Sequence, residues 1–176
     1  MRPHLQEKEI AGFRICHWEI APDGALISPE KYSYHSFSTF STHDHPPIPA
    51  LWEEYRAKIA SEDSDTRNDA VRNMRVLCQI AQHDLPEQLE SPADVPAFND
   101  VTKWNIIDFL FQANSRYCAF MITDILGLPD RFNTPSTVGD HNWTYRLPFT
   151  VEEFSDSGVL QKLQANLERY IERRKR

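Results

Sequence analysis

Tyr32-Ser33-Tyr34-His35-Ser36-Phe37-Ser38-Thr39-Phe40-Ser41-Thr42-His43-Asp44-His45-Pro46-Pro47 is the stretch on which the reading of this chain turns. From Tyr32 to Phe40 it mixes aromatic, serine and threonine side chains, which suit a pleated, half-buried strand. It then turns polar at Ser41-Thr42-His43-Asp44-His45. Pro46, Pro47 and Pro49 lack the N–H that a ladder needs and stop the strand. A strand ending in hydroxyl, imidazole and carboxylate fits an α/β fold, where chemistry sits at the C-terminal ends of parallel strands.

Upstream, Gly12 to Ile20 holds Phe13, Ile15, Cys16, Trp18 and Ile20 and predicts another strand, closed by turn chemistry at Pro22-Asp23-Gly24. Downstream, Leu51, Trp52, Tyr55 and Ile59 fall at helical spacing over Ala50 to Ala60. After a polar connector at 61–65, Asp65 or Thr66 opens a longer helix to Gln82, with Val71, Met74, Leu77, Cys78 and Ala81 on one face. Pro86 to Pro96 reads as an exposed loop. Asp100 or Thr102 starts a helix that buries Trp104, Ile107, Leu110 and Phe111. Cys118-Ala119-Phe120-Met121-Ile122 predicts a strand buried on both faces, as in a parallel sheet, ending in Thr123-Asp124 before Gly127. Residues 128–149 are loop-like. Thr150 and Glu153 are spaced as a capping box for a final helix that buries Leu160, Leu163, Leu167 and Ile171.

The fold class is therefore α/β with three strands. Three strands neither close a barrel nor hide both faces of a sheet, so the pattern suggests a piece of something larger or a subunit that borrows strands. The 176 residues carry 19 basic and 26 acidic side chains, a net charge of −7 that would repel a nucleic-acid backbone. Arg173-Arg174-Lys175-Arg176 reads as a solvated helix end. The longest apolar run is far short of the roughly 20 residues that span a bilayer, and Met1 to Lys8 lacks a signal-peptide core. Three widely spaced cysteines read as small buried hydrophobes of a reducing compartment, and a cytoplasmic protein is expected.

Among candidate functional residues, the Asp44 carboxylate beside the His43 imidazole could bond adjacent sugar hydroxyls and stabilise positive charge developing at a neighbouring carbon. A satisfied polar strand end is the plainer alternative. His35, His43, Asp44 and His45 are close in sequence, but no CxxC, HExxH or repeated ligand spacing accompanies them, and no metal or other cofactor is expected. Cys118 lies among apolar neighbours, where a thiol is inert. Trp52 and Trp104 lie on helix faces and read as core; Trp143, in a loop beside Asn142 and near Arg146, reads as well as a binding or docking residue as it does as an ordinary loop side chain.

The stretch from Tyr34 to Asp44, followed by Leu51-Trp52-Glu53-Glu54, resembles the seventh-strand motif of the 4-α-glucanotransferases, the amylomaltases or disproportionating enzymes, a glycoside hydrolase family with a (β/α)8 TIM barrel. Ile122-Thr123-Asp124-Ile125-Leu126-Gly127-Leu128 looks like the family's last-strand segment. Arg131-Phe132-Asn133-Thr134-Pro135-Ser136-Thr137, with Asn142-Trp143-Thr144-Tyr145-Arg146-Leu147-Pro148, looks like its C-terminal motif. The resemblance implies a retaining transfer of α-1,4-glucan segments onto an acceptor glucan or glucose. Such a reaction needs a nucleophile and an acid/base carboxylate about 5–5.5 Å apart. By the match, Asp44 is the family's third acid, which stabilises the oxocarbenium-like transition state. His43 would bond hydroxyls of the sugar in the −1 subsite, Asn133 would contact substrate, and Trp18 sits near an aromatic position that lines the cleft.

No segment resembles the earlier strands that carry the nucleophile and the acid/base. The expectation is an incomplete barrel: residues 1–176 as the C-terminal portion, the last three strands with their helices, preceded by a disordered tail over 1–11. The chain alone is expected to be inactive. Its expected partners are an α-1,4-glucan and the absent N-terminal part of the barrel. The alternatives are a glucan-binding module without chemistry and an interaction protein that completes a split barrel. Two departures from the family pattern stand out: His45-Pro46-Pro47 follows His43-Asp44 where polar residues are usual, and Ser136 replaces a frequent glycine.

Overall fold

The computed structural model describes residues 2–156 and 158–174. Its sheet has three parallel strands in chain order, β1 (Gly12–Ile15), β2 (Ser36–Thr39) and β3 (Tyr117–Cys118). Phe13 pairs with Phe37, and Phe37 with Tyr117; Arg14, Ser38 and Cys118 form the next row. Successive side chains point to opposite faces. Cys118 Sγ reaches the Leu110 carbonyl oxygen at 3.7 Å, so its row faces the helices. On the other face Phe13 is 56% exposed and Tyr117 47%, with the Phe13 and Phe37 rings 4.9 Å apart. Parallel sheets are ordinarily covered on both sides. This one carries a bare aromatic row on one of them.

Each strand is shorter than its sequence suggests. β1 ends at Ile15 because Cys16–Trp18 forms a 3-10 turn. The turn lets the buried Glu19 carboxylate meet the Arg14 guanidinium at 2.6 Å. Five residues of extended strand would separate them by roughly 16 Å. A carboxylate taken from water needs that partner, so the chain curls back. β3 has two residues, and Cys118, Phe120 and Met121 are half-buried. A strand buried on both faces does not form here, because one face of the sheet is open and the chain turns into helix α5 (Ile122–Leu126).

The helices behind the sheet follow the apolar periodicity closely. α2 (Ile48–Lys58) starts two residues earlier than expected, and Pro49 fits its first turn, where the missing N–H costs no helical hydrogen bond. α3 (Ser64–Ile80) is capped by Asp63, which accepts from the Thr66 N–H at 2.8 Å. α4 (Asp100–Phe111) is capped by Asn99, which accepts from the Thr102 N–H at 3.0 Å. Each such cap contributes about 1 kcal/mol. Trp52, Met74, Leu77, Cys78, Ile106 and Leu110 meet Phe40 and Cys16 in one core. Trp104 and Phe111 are only half-buried, and Ile106 takes the buried place beside Ile107.

The capping box forms: Thr150 N–H donates to Glu153 Oε2 at 2.7 Å, and Glu153 N–H to Thr150 Oγ1 at 3.1 Å. The single final helix expected from it is two, α6 (Val151–Asp156) and α7 (Val159–Arg174), with Gly158 at φ +66° between them. Leu163 is buried and Tyr170 stacks on Phe111, but Leu160 and Ile171 stay exposed. Lys175 and Arg176 of the basic run lie outside the described residues. At the other end, helix α1 (Arg2–Glu7) stands where a disordered tail was expected; Leu5 Cδ1 lies 3.6 Å from where a Cβ on Gly12 would be. No described helix is long and apolar enough to cross a membrane.

Candidate functional site

The site grows from the end of β2. Thr39 Oγ1 donates to the Ser41 carbonyl oxygen at 2.8 Å, turning the chain out of the sheet. Thr42 Oγ1 lies 2.7 Å from His45 Nδ1 and accepts from the Asp44 N–H at 3.3 Å, while His45 N–H donates to the Thr42 carbonyl at 3.0 Å. This hydroxyl-closed turn leaves His43 and Asp44 at the exposed tip. His43 Nε2 stands 3.3 Å from Asp44 Oδ2. The other carboxylate oxygen, Oδ1, accepts from Asn133 Nδ2 at 2.7 Å. Arg131 Nη2 donates to the Asp44 carbonyl oxygen at 2.9 Å and its Nε to the Asn133 carbonyl oxygen at 3.3 Å. Asn133 orients Oδ1 by a hydrogen bond while Oδ2 faces the His43 ring, and the Asp44 side chain remains about half exposed to solvent.

Aromatic rings flank this tip on two sides. The Trp143 ring lies 5.1 Å from His43, and the Trp18 ring 4.6 Å from His45. Trp18 is 53% exposed and Trp143 64%. Trp143 is held at φ +64°, a backbone region that bulky residues rarely adopt, by its N–H donating to the Phe132 carbonyl at 2.8 Å. Asn142 helps to fix it: its Oδ1 accepts from the Thr134 N–H and its Nδ2 donates to the Thr137 carbonyl. His45 titrates below the ordinary imidazole value because it is partly buried, with Asp44 pulling the other way. His17, packed against the Phe40 ring at 4.7 Å, is pushed down to about 4 by burial and is a neutral core residue.

Of the residues singled out in the sequence, Asp44, His43 and Asn133 meet directly, and Trp18 joins them through His45. Asp124 was marked in the sequence only as a polar strand end, and Arg131 only as part of the C-terminal motif, with no role for either. Asp124 is fully buried; its Oδ1 accepts from the Ile48 N–H at 2.7 Å and its Oδ2 bonds the Ser41 hydroxyl. The signal for it was its place just after the apolar run Cys118 to Ile122, with Ile125 and Leu126 following. Among the described residues no cluster of three His, Cys, Asp or Glu side chains could hold a metal ion. Two concavities of about 770 and 540 Å³ lie along α4 and α7, and Asp44, His43, Asn133 and Trp18 line neither. The tip is an open rim.

Residues 1–151 match the sequence model of the 4-alpha-glucanotransferase family of glycoside hydrolases, and the chain belongs to that family. It is 26% identical over 170 residues to the 4-alpha-glucanotransferase DPE2 of Oryza sativa subsp. japonica, covering 92% of this chain and 16% of that protein. It is 26% identical over 175 residues to the 4-alpha-glucanotransferase of Chlamydia muridarum, covering 93% of this chain and 29% of the relative. Among solved structures it resembles the amylomaltase from Corynebacterium glutamicum (TM-score 0.67, 18% identity, 94% of this chain, 26% of that one). It also resembles the amylomaltase from Streptococcus agalactiae in complex with acarbose (TM-score 0.60, 18% identity, 96% and 29%). The chain spans less than a third of each of these proteins.

Two predictions arise from this region. Ser136 sits at φ +63°, a left-handed conformation that costs a side-chain-bearing residue about 1 kcal/mol. Ser136→Gly should therefore raise stability by up to about 1 kcal/mol, read as a higher urea midpoint. The second concerns Asp124, which burial pushes up to about 6 from an ordinary 3.8, against the hydrogen bonds from Ser41 and Ile48. Between these values the folded chain holds a proton that the unfolded chain has lost, so raising the pH costs the folded state. Relative to Asp124→Asn, the native chain should lose stability as pH rises from about 4 to about 6. Urea midpoints of the two proteins at the ends of that window check it.

Proposed function

We propose that this chain is the C-terminal, three-strand portion of a 4-α-glucanotransferase barrel, and that Asp44 is its transition-state-stabilising carboxylate. The observation that carries the reading is the 2.7 Å bond from Asn133 Nδ2 to Asp44 Oδ1. It joins side chains 89 positions apart, each of which the family resemblance assigned to substrate on its own. A carboxylate aimed by a hydrogen-bonded amide is preorganised: it stabilises positive charge developing at the anomeric carbon with little reorganisation during reaction. His43 steers one carboxylate oxygen and leaves a ring face and edge for sugar hydroxyls. Trp18 and Trp143 present apolar ring surface suited to the C–H faces of glucosyl units. The substrate class is α-1,4-glucan, and turnover proceeds with retention through a covalent glycosyl intermediate.

The nucleophile and acid/base of that reaction belong to earlier strands, which this sequence does not match. The bare row of Phe13, Phe37 and Tyr117 supports the same view, because it faces where those strands would close the barrel. The partner of the chain is then polypeptide carrying those strands. Cys16, Cys78 and Cys118 form no disulfide, in keeping with a cytoplasmic setting. Purified chain incubated with maltotriose should release no glucose, while calorimetry with maltoheptaose should show binding that Asn133→Ala weakens. Turnover by this chain alone, abolished by Asp44→Ala, would overturn the claim that its site is incomplete. Absence of maltoheptaose binding would count against the glucan reading itself.

A further inference from the structure

The loop that carries His43 and Asp44 begins after Ser41 and ends where α2 starts at Ile48. One buried carboxylate holds both ends. Asp124 Oδ2 bonds the Ser41 hydroxyl, and Oδ1 accepts from the Ile48 N–H at 2.7 Å. The N-cap of α2 is Pro47, whose side chain makes no cap hydrogen bond. An orphan N–H at a helix start needs an acceptor, and a negative group is favoured there. Asp124 supplies it from another element, and in doing so ties residues 41 and 48 together.

The tip of the loop is held by the segment that follows α5. Arg131 grips the Asp44 carbonyl, and Asn133 grips its carboxylate. Residues 124–133 thus touch the loop at both ends and at its tip. We infer that Asp124 is a positioning residue: by closing the loop at Ser41 and Ile48 it sets where the His43–Asp44 tip meets Asn133. The inference rests on the glucanotransferase reading for its consequence, since a displacement of about 1 Å in a reacting group can cost about 10²-fold in rate. Asp124 itself touches no substrate; it lies at full burial beneath the loop.

The test uses the whole chain and three variants. Asp124→Ala removes both bonds. Ser41→Ala removes one and leaves the Ile48 contact. Asp124→Asn keeps an oxygen for the Ile48 N–H and an amide for the Ser41 hydroxyl. The readouts are the Asn133 side-chain amide signals by NMR and the affinity for maltoheptaose. Asp124→Ala and Ser41→Ala should move the Asn133 signals toward those of a solvated amide and weaken maltoheptaose about tenfold, and Asp124→Asn should retain both. Folded Asp124→Ala with unmoved Asn133 signals would overturn the inference, because a merely structural role lowers stability without touching them. So would Asp124→Asn behaving as Asp124→Ala does. If Asp124→Ala does not fold, Ser41→Ala decides by the same signals. A native chain that fails to bind maltoheptaose defeats the glucan reading, and the Asn133 signals still judge Asp124.

Discussion

Asp44→Asn is expected to lower glucan transfer about 10²–10³-fold once the chain is assembled with polypeptide that supplies the other two carboxylates. Asparagine keeps an oxygen for the Asn133 amide, so the geometry of the 2.7 Å contact survives. What disappears is the negative charge that the proposed function sets against the anomeric carbon. The loss should fall on kcat, with KM little changed, because the charge matters only where positive charge develops. Stability should stay within about 0.5 kcal/mol of the native chain, since the side chain is half exposed at a loop tip. Steady-state kinetics on the assembled enzyme and urea unfolding of the chain alone separate these effects. Equal loss of stability and rate would mean that Asp44 serves the fold.

Trp52→Ala is expected to cost about 3–5 kcal/mol, a large share of the roughly 5–15 kcal/mol that keeps a typical domain folded. Trp52 is fully buried, its Nε1–H donates to the Pro96 carbonyl at 2.8 Å, and its ring packs 6.1 Å from Phe98. Alanine would leave a cavity beneath the loop at 86–98 and an unsatisfied carbonyl beside it. Urea denaturation followed by circular dichroism should show the midpoint fall sharply. A change below about 1 kcal/mol would show that α2 does not anchor this core. The effect would spread to the site, because α2 begins at Ile48, one end of the His43–Asp44 loop.

Much of the architecture was legible because its causes are local. The Thr150/Glu153 capping box was readable from its spacing, whereas Asp63 and Asn99 cap α3 and α4 just upstream of the starts expected at Asp65 or Thr66 and at Asp100 or Thr102. The core faces of α2 and α3 follow from helical spacing. What the sequence hid depends on groups far apart in the chain. The curl at Cys16–Trp18 answers to Glu19 finding Arg14, and strand propensity through Ile20 gives no hint of it. Cys118 to Ile122 looked like a buried strand because its composition is apolar, but pairing stops at Cys118 beside the open sheet face, and helix α5 starts at Ile122, where Asp124 reaches Ser41 and Ile48. Leu160 and Ile171 looked buried by periodicity, whereas Tyr170 takes the contact with Phe111.

The site was legible in a different way. His43 and Asp44 stood out as a polar strand end, but nothing in spacing joins Asp44 to Asn133; only the family resemblance pointed to both. Arg131 stayed hidden because it acts on the Asp44 backbone carbonyl, which every residue has. Trp143 was readable as a binding or docking residue from its loop position, and its strained backbone and its place against His43 support a role at the site.

The most direct measurement is an NMR titration of the chain with maltoheptaose, following the Asn133 side-chain amide and the indole N–H signals of Trp18 and Trp143. These three should shift together with one saturation constant, and Asn133→Ala should weaken the response of both indoles. Saturable shifts along α4 and α7, with Asn133 and both indoles unmoved, would contradict this expectation.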